Sequence, residues 1–272
     1  MLSSYILALR EGLEAALIIG IVLSMLRKME QQNLNMTVWL GVISAIFISI
    51  AAALGLNWIG AEFEGKGEQL FEGITMFLAA GILTWMIFWM KKQSKSMNQK
   101  IETGVRQAMG GRGKRALFLL TFFAIVREGI ELVLFLLAAR FTSNPFQQIL
   151  GAAFGLASAT ILGWIIYTSS TKLSLSKFFA ITNVLLVLFA AGLIGLGIHE
   201  FNELGWIPSV VENVWNLNAL LPEKSTLGQL MKALFGYSSS PSLSQVIGYF
   251  GYFVVIGILM WVRRKKSAYK NS

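Results

Sequence analysis

The sequence has no cysteine, no aspartate and only one histidine and four prolines among its 272 residues. The absence of cysteine excludes disulfide bonds and thiolate metal sites. Only 14% of the residues are charged, 55% are hydrophobic and the mean hydropathy is +0.64. A soluble domain could not cover so much apolar surface with so few charges, so the lipid bilayer must cover it. The net charge of +9 therefore does not indicate nucleic acid as a partner.

Seven apolar stretches are long enough to cross a hydrocarbon core of about 30 Å as helices. They lie near Leu2–Leu26, Met36–Gly60, Gln69–Met90, Ala116–Ala139, Phe146–Ser169, Lys177–His199 and Leu243–Val262. The sequence therefore predicts an all-α polytopic membrane protein with a single transmembrane domain over residues 1–272. Two further apolar stretches, Pro208–Leu221 and Leu227–Phe235, are too short to span, which predicts interfacial or loop helices.

Lysine and arginine are distributed unevenly over the connections between these spans. Seventeen fall on one face of the predicted topology, against Lys66, Arg140, Lys224 and Lys232 on the other. Because cytoplasmic connections carry the excess of basic residues, this predicts a multi-pass protein of the plasma membrane with its N-terminus outside and its C-terminus in the cytoplasm. Most glutamates in the connections fall on the outer face, where they either concentrate cations or are simply solvated.

One charged motif occurs twice in the middle of apolar spans. The first span contains Arg10-Glu11-Gly12-Leu13-Glu14, and the fourth contains Arg127-Glu128-Gly129-Ile130-Glu131. The two spans run in opposite directions, which predicts two inverted three-helix repeats, an arrangement that many secondary transporters share. The predicted parts are repeat one at about 1–92, repeat two at about 115–203, an outer loop at 204–242 and a seventh helix at 243–262.

The motif places two carboxylates and one guanidinium where lipid disfavours them. A charged side chain at the centre of a spanning helix costs roughly 2.5–3.5 kcal/mol or more. The arginine and the second glutamate are spaced i, i+4 and can pair, whereas the two glutamates are spaced i, i+3 and project from one face. Each motif has a net charge of −1, which a polyvalent cation would neutralise. Glu11, Glu14, Glu128 and Glu131 are therefore candidate metal ligands, supported by Arg10 and Arg127.

Two other readings of the motif stay open. The arginines and glutamates could form buried ion pairs that only lock the helices together, or the glutamates could relay protons. A weaker polar group lies near the outer ends of the third and sixth spans. It contains Glu72, Glu200 and His199, the only histidine of the chain. These residues are candidate ligands at an outer entrance, although His199 could equally cap a helix at the interface.

The doubled motif resembles the signature of the oxidase-dependent iron permeases, which include a fungal high-affinity iron permease and the permease of a bacterial three-component uptake system. Three further segments are similar to that family: Phe71-Glu72-Gly73, His199-Glu200 and Leu234-Phe235-Gly236-Tyr237. The resemblance covers essentially the whole chain and is closer to the bacterial members. It implies iron transport across the plasma membrane, with the motif glutamates as iron ligands.

The resemblance also implies partner proteins. In that family an oxidase, either a multicopper enzyme or a haem peroxidase, converts ferrous to ferric iron before transport. We therefore expect iron ions in either redox state as the substrate, an extracytoplasmic oxidase and iron-binding proteins as partners, and no permanently bound cofactor. The alternative is a proton-coupled carrier or a channel for another divalent cation. An enzyme is not expected, because the chain has no His-Glu-x-x-His and no Gly-x-Ser-x-Gly motif.

Overall fold

The computed structural model describes residues 1–61, 65–93, 103, 105, 113–140, 144–168 and 175–268. None of these residues lies in a β-strand, so the all-α prediction is confirmed for the part of the chain described. The helices are α1 (Leu2–Lys28), α2 (Asn35–Ala61), α3 (Lys66–Gln93), α4 (Gly113–Arg140), α5 (Pro145–Thr168), α6 (Leu175–Glu203), α7 (Thr226–Phe235) and α8 (Leu243–Ala268). A short 3-10 turn, Gln32–Leu34, precedes α2.

Among the described residues, five helices contain a segment that is long and apolar enough to cross a membrane. The segments are Gln32–Trp58, Lys66–Phe88, Pro145–Thr168, Ala180–Glu203 and Leu243–Val262. The remaining two long helices, α1 and α4, carry the charged motifs, and every 18-residue window within either of them includes three or more charged residues. A polytopic membrane protein is therefore confirmed, whereas membrane crossing by α1 and α4 stays a prediction.

The predicted spans agree with the helices that form, apart from Ser169, which lies outside the described residues. The stretch Leu227–Phe235 is helical, as α7. The prediction of a helix over Pro208–Leu221 is wrong, because this stretch forms turns and extended backbone. Its backbone N–H groups bond across to another segment, from Val214 to the carbonyl of Pro241 at 3.0 Å and from Leu217 to that of Ser239 at 2.8 Å.

The chain divides into two compact units. Unit 1 comprises Met1–Glu62 and Thr84–Leu185, and unit 2 comprises Phe63–Leu83 and Leu186–Ser272. Both charged motifs belong to unit 1. The residues that the sequence predicts at an outer entrance belong to unit 2.

A row of small residues on α5 allows α1 to pack closely against it in unit 1. The row is Gly151, Gly155, Ala159 and Gly163, spaced four residues apart. A Cβ atom on Gly155 would lie 2.8 Å from the backbone nitrogen of Leu9. A Cβ atom on Gly12, inside the first motif, would lie 2.7 Å from the Cβ of Ala159. The α1 backbone is therefore held against α5 by small-residue packing, as is common between membrane helices.

The second motif packs in a corresponding way on α2. Gly129 of α4 lies against Ser49, whose Cβ would be 2.8 Å from a Cβ placed on Gly129. Gly12 and Gly129 occupy the same position in their motifs. Ser49 and Ala159 each lie fourteen residues after the first residue of their helices, α2 and α5. Each motif helix thus packs on the second helix of the other predicted repeat.

In unit 2, the N-terminal part of α3 and the start of α8 both pack antiparallel to the C-terminal part of α6. Gly73 lies against the ring of Phe201, which would be 3.1 Å from a Cβ placed on Gly73, and Gly197 lies against Phe77. On the α8 side, the amide of Gln245 donates to the carbonyl of Gly195. These contacts fix the ends of α3, α6 and α8 that carry the polar residues of unit 2.

Candidate metal-binding site

Three buried glutamates from two helices of unit 1 meet at one point. Glu11 comes from α1, and Glu128 and Glu131 come from α4. One carboxylate oxygen of each lies within 4.8 Å of the other two. All three side chains are almost fully buried, with 1%, 5% and 6% of their surface exposed. Because Glu128 and Glu131 are spaced i, i+3, both project from the same face of α4 toward Glu11.

Arg10 binds both glutamates of the first motif. Its Nη1 lies 2.7 Å from Glu11 Oε1, and its Nη2 lies 3.1 Å from Glu14 Oε1. Arg10 is fully buried, and its Nη1 also contacts the sulfur of Met86 at 3.3 Å. A buried guanidinium between two carboxylates offsets part of the free-energy cost of burying them.

The second motif is paired differently from the first. Arg127 Nε donates to Glu131 Oε1 at 2.8 Å, and 29% of the Arg127 side chain is exposed. Its guanidinium also lies over the ring of Trp85, 5.8 Å from the ring centroid. No described residue forms an ion pair with Glu128. The two motifs therefore share a pattern of charged residues but differ in how their charges are compensated.

Three carboxylate oxygens at this point lack a hydrogen-bond partner among the described residues: Oε2 of Glu11, of Glu128 and of Glu131. A buried acceptor without a partner is costly, and such groups are uncommon in folded proteins. The fourth motif glutamate, Glu14, is buried nearby but is not one of the three that converge. Of the four predicted ligands, the structure thus brings together three.

A buried apolar cluster lies next to these glutamates, toward the end of α1 and the start of α4. It contains Ile18, Val42, Ala45 and Ile125. Ile18 follows Glu14 by four residues, and Ile125 precedes Glu128 by three, so both lie about one helical turn from the motifs. On that side, apolar side chains separate the carboxylates from the helix ends.

Comparison with known proteins assigns the sequence to a family. The sequence profile of the iron permease FTR1 family matches residues 1–265. The chain belongs to the iron permease FTR1 family. It is thus a membrane transporter for iron rather than an enzyme.

Curated relatives resemble the permease over nearly its whole length. The ferrous iron permeases EfeU of Escherichia coli O6:K15:H31 and of Shigella sonnei are each 37% identical over 256 residues, which is 93% of this chain and 93% of theirs. The ferrous iron permease EfeU of Yersinia pestis is 37% identical over 270 residues, 98% of this chain and 96% of its own. No solved structure matches the permease.

The predicted entrance residues of the permease lie at one end of unit 2. Glu72 and Glu200 are brought to the same place by the packing of Gly73, whose Cβ would lie 3.4 Å from the Cβ of Glu200. Negative charges of Glu72, Glu203 and Glu68 act on Glu200, together with the positive charge of Lys232. The site is therefore an acidic cluster on the ends of two helices.

His199 pairs within its own helix in this cluster. Its Nε2 lies 3.3 Å from Glu203 Oε1, and both side chains are about half exposed, at 47% and 48%. Gln69 donates to the other oxygen of Glu203 at 2.6 Å. Glu203, which the sequence pattern does not single out, thus links α3 to α6.

Two residues of α3 that contact the motif arginines of the permease were also missed from sequence. They are Trp85 and Met86, one against each arginine. Both are ordinary residues for an apolar span, and nothing in their spacing marks them. Only the packing of α3 in unit 1 reveals their position.

Proposed function

We propose that this permease imports iron across the plasma membrane by binding it between the carboxylates of Glu11, Glu128 and Glu131. The convergence of these buried glutamates from two helices is the observation that carries the proposal. Glu14 is the fourth carboxylate of the path, and Arg10 and Arg127 hold the glutamates in place. Iron is the transported substrate here and not a resident cofactor.

Charge supports a cation at this position. Four motif glutamates and two motif arginines sum to −2, from four charges of −1 and two of +1. A divalent or trivalent ion would neutralise this charge and occupy the carboxylate oxygens that lack partners. Buried charges are normally paired or bound to a metal, because an isolated charge in a medium of low dielectric constant is very costly.

The distances between the three carboxylate oxygens support an ion of the size of iron. Two oxygens on opposite sides of an ion bound at about 2.1 Å are separated by about 4.2 Å. The three glutamate oxygens lie within 4.8 Å of one another, so small side-chain rotations would bring them to bonding distance. Carboxylate oxygens are hard ligands, and opposed carboxylates on facing helices bind iron in other helical proteins.

The packing of unit 1 supports two inverted repeats. Gly12 packs on Ala159 in α5, and Gly129 packs on Ser49 in α2, so corresponding positions of the two motifs make corresponding contacts. In transporters built from inverted repeats, the site lies where the repeats meet, and one half moves against the other. We propose that the apolar cluster around Ile18 and Ile125 must open to release iron toward the cytoplasm.

The acidic cluster of unit 2 is proposed as the outer entrance. Glu72 and Glu200, with His199 beside them, would concentrate cations on the extracytoplasmic side of the membrane. The relatives are named ferrous iron permeases, which favours ferrous iron as the species that reaches the entrance. An extracytoplasmic oxidase and iron-binding proteins are the proposed partners, and the N-terminus is proposed to lie outside.

An inside-negative membrane potential would favour inward movement of the cation. A charge gains about 2.3 kcal/mol for each 100 mV that it crosses. A ferrous ion would therefore gain roughly 4.6 kcal/mol and a ferric ion roughly 7 kcal/mol at that potential. An inside-negative potential should accordingly accelerate uptake.

The experiment is uptake of radioactive iron into liposomes that contain the purified permease. Both redox states are supplied, with and without an inside-negative potential, to wild type and to Glu11→Gln and Glu131→Gln. Loss of uptake in both variants, with Glu212→Gln in the exposed loop as the control, would support the path. If either variant takes up iron at the wild-type rate, the glutamate that it lacks is not part of the iron path.

A carrier for another divalent cation or a proton-coupled carrier is the alternative, because hard oxygen ligands also suit manganese and magnesium. Competition of labelled iron uptake by an excess of manganese, zinc and calcium separates these cases. Movement of protons with iron would appear as a change in the internal pH of the liposomes.

A further inference from the structure

The segment between α6 and α8 descends along α6 instead of remaining at its end. Helix α7 ends at Gly236, which has a left-handed backbone conformation with φ of 65°. The backbone of Gly236 lies directly against Gly192 of α6, so that a Cβ on Gly192 would be 2.6 Å from the nitrogen of Gly236. Neither position leaves room for a side chain.

The position of Gly192 along α6 gives the depth of this contact. Gly192 precedes His199 by seven residues and the end of the helix at Glu203 by eleven. At a rise of 1.5 Å per residue, the contact lies about 10 Å below His199 and about 16 Å below the helix end. Residues between Gly192 and His199 are apolar or glycine, so the contact lies within the apolar part of α6.

The chain then returns to the end of α6 over six residues. Ser242 donates to Asn202 Oδ1 at 2.8 Å and directly precedes α8, and Ser244 donates to the same oxygen at 3.0 Å. Asn202 lies ten residues beyond Gly192, or about 15 Å along the helix. Six residues of extended chain reach at most about 20 Å, which is enough for this ascent.

The extended return leg is buried in protein, as backbone at membrane depth has to be. Ser239 and Ser242 are only 2% and 5% exposed. Glu223, just before α7, holds both legs together: its Oε1 accepts from the N–H of Ser239 at 2.8 Å and from the hydroxyls of Ser238 and Ser239. Its Oε2 lies 3.4 Å from Lys232 of α7.

We propose that residues 226–242 form a re-entrant hairpin that dips into the membrane from the side on which α6 ends. This inference rests only on the contacts of unit 2. The contact between Gly192 and Gly236 marks the tip of the hairpin, and Glu223 holds its two legs together.

The depth of the hairpin can be measured directly, because the natural chain has no cysteine to remove. Single cysteines at Leu227 and Phe235 carry a spin label in the full-length protein in liposomes. In a hairpin whose helix α7 descends along the membrane normal, the second label lies eight residues, or about 12 Å, deeper than the first. Collisions of each label with oxygen and with a water-soluble nickel complex measure this difference. Equal depths would mean that α7 lies flat at the interface and would overturn the proposal.

The contact at the tip is tested with Gly236→Ala, and with Gly251→Ala as the matched control, since nothing lies within 4 Å of a Cβ on Gly251. A cost of about 1–2 kcal/mol for the left-handed conformation corresponds to about a five- to thirtyfold shift away from the contact with Gly192. We expect a cysteine at Phe235 to react with a membrane-impermeant maleimide faster by about that factor in Gly236→Ala than in Gly251→Ala.

Unchanged labelling in Gly236→Ala would overturn the contact at the tip of the hairpin. The label depths do not depend on transport, so a failure of the proposed iron path would be seen separately, as normal uptake by the Glu11 and Glu131 variants.

Discussion

Arg10 and Glu11 are consecutive residues of α1 whose side chains form an ion pair of 2.7 Å, with 0% and 1% of their side chains exposed. Consecutive residues of a helix normally point about 100° apart, so this pair forms because the long arginine side chain bends toward Glu11 while it also reaches Glu14. The same arginine position in the second motif pairs with Glu131. This difference leads to separate expectations for the two motifs.

Removing Arg10 should destabilise the protein more than removing Arg127. Breaking a buried ion pair from one side typically costs about 3–5 kcal/mol, because the partner charge is left uncompensated. Arg10→Leu leaves two buried carboxylates without their cation, whereas Arg127 is partly exposed and its replacement costs less. Thermal unfolding of both variants in detergent measures the difference. An equally small loss for both would contradict the importance of the buried pair.

Glu128→Gln should separate transport from stability. No described residue forms an ion pair with Glu128, so the neutral variant removes an uncompensated buried charge and should be as stable as wild type or more so. Iron uptake should nevertheless fall by at least about 10–100-fold, the loss that removal of even a hydrogen-bonding partner of a metal ligand typically causes. Uptake and thermal unfolding are measured on the same preparation. A variant that loses both together would indicate a structural role instead.

Alanine at Gly12 or Gly129 should weaken the packing of the two motif helices. Overpacking of a close contact costs typically about 1–3 kcal/mol. Reducing the facing residue should restore stability, so Gly129→Ala is combined with Ser49→Gly, and Gly12→Ala with Ala159→Gly. Gly55→Ala is the control, because a Cβ there meets nothing within 4 Å. Absence of rescue in both double variants would argue against these contacts.

The loop around Glu223 should loosen in acid. Burial alone would raise the pKa of Glu223, but the hydrogen bonds from Ser239, the charge of Lys232 and the hydroxyl of Ser238 lower it below its ordinary value. Because the folded form has the lower pKa, the stabilisation is complete above the ordinary pKa of about 4.5 and is lost as the pH falls through the folded value. Hydrogen exchange of residues 237–242 against pH measures this loss.

Two variants complete that measurement. Glu223→Gln should exchange faster than wild type at neutral pH and lose the dependence on acid pH. Glu212→Gln, also in the connection between α6 and α8, should behave like wild type. An acid transition that persists in Glu223→Gln would assign it to another group.

The long helices and the chemistry of the site follow from local features of the sequence. Long apolar stretches predict α2, α3, α5, α6 and α8, since a helix satisfies every backbone group within its own segment in lipid. The spacing of the motif placed Glu128 and Glu131 on one face of α4, because that relation depends only on the helical period. These properties need no knowledge of the neighbouring helices.

Tertiary structure alone decided which groups meet. Glu11 joins Glu128 and Glu131, whereas Glu14 does not. The two motifs also form different ion pairs, and a different side chain of α3 packs against each arginine, Met86 on Arg10 and Trp85 on Arg127.

The path of residues 204–242 was also decided by long-range contacts. Pro208–Leu221 bonds to the strand-like return leg instead of forming a helix, and Gly236 lies on Gly192, forty-four residues earlier in the chain. An apolar pattern can be recognised within a single segment. The contacts of residues 204–242 depend instead on the shape of segments that are distant in the sequence, so the pattern of one segment does not predict them.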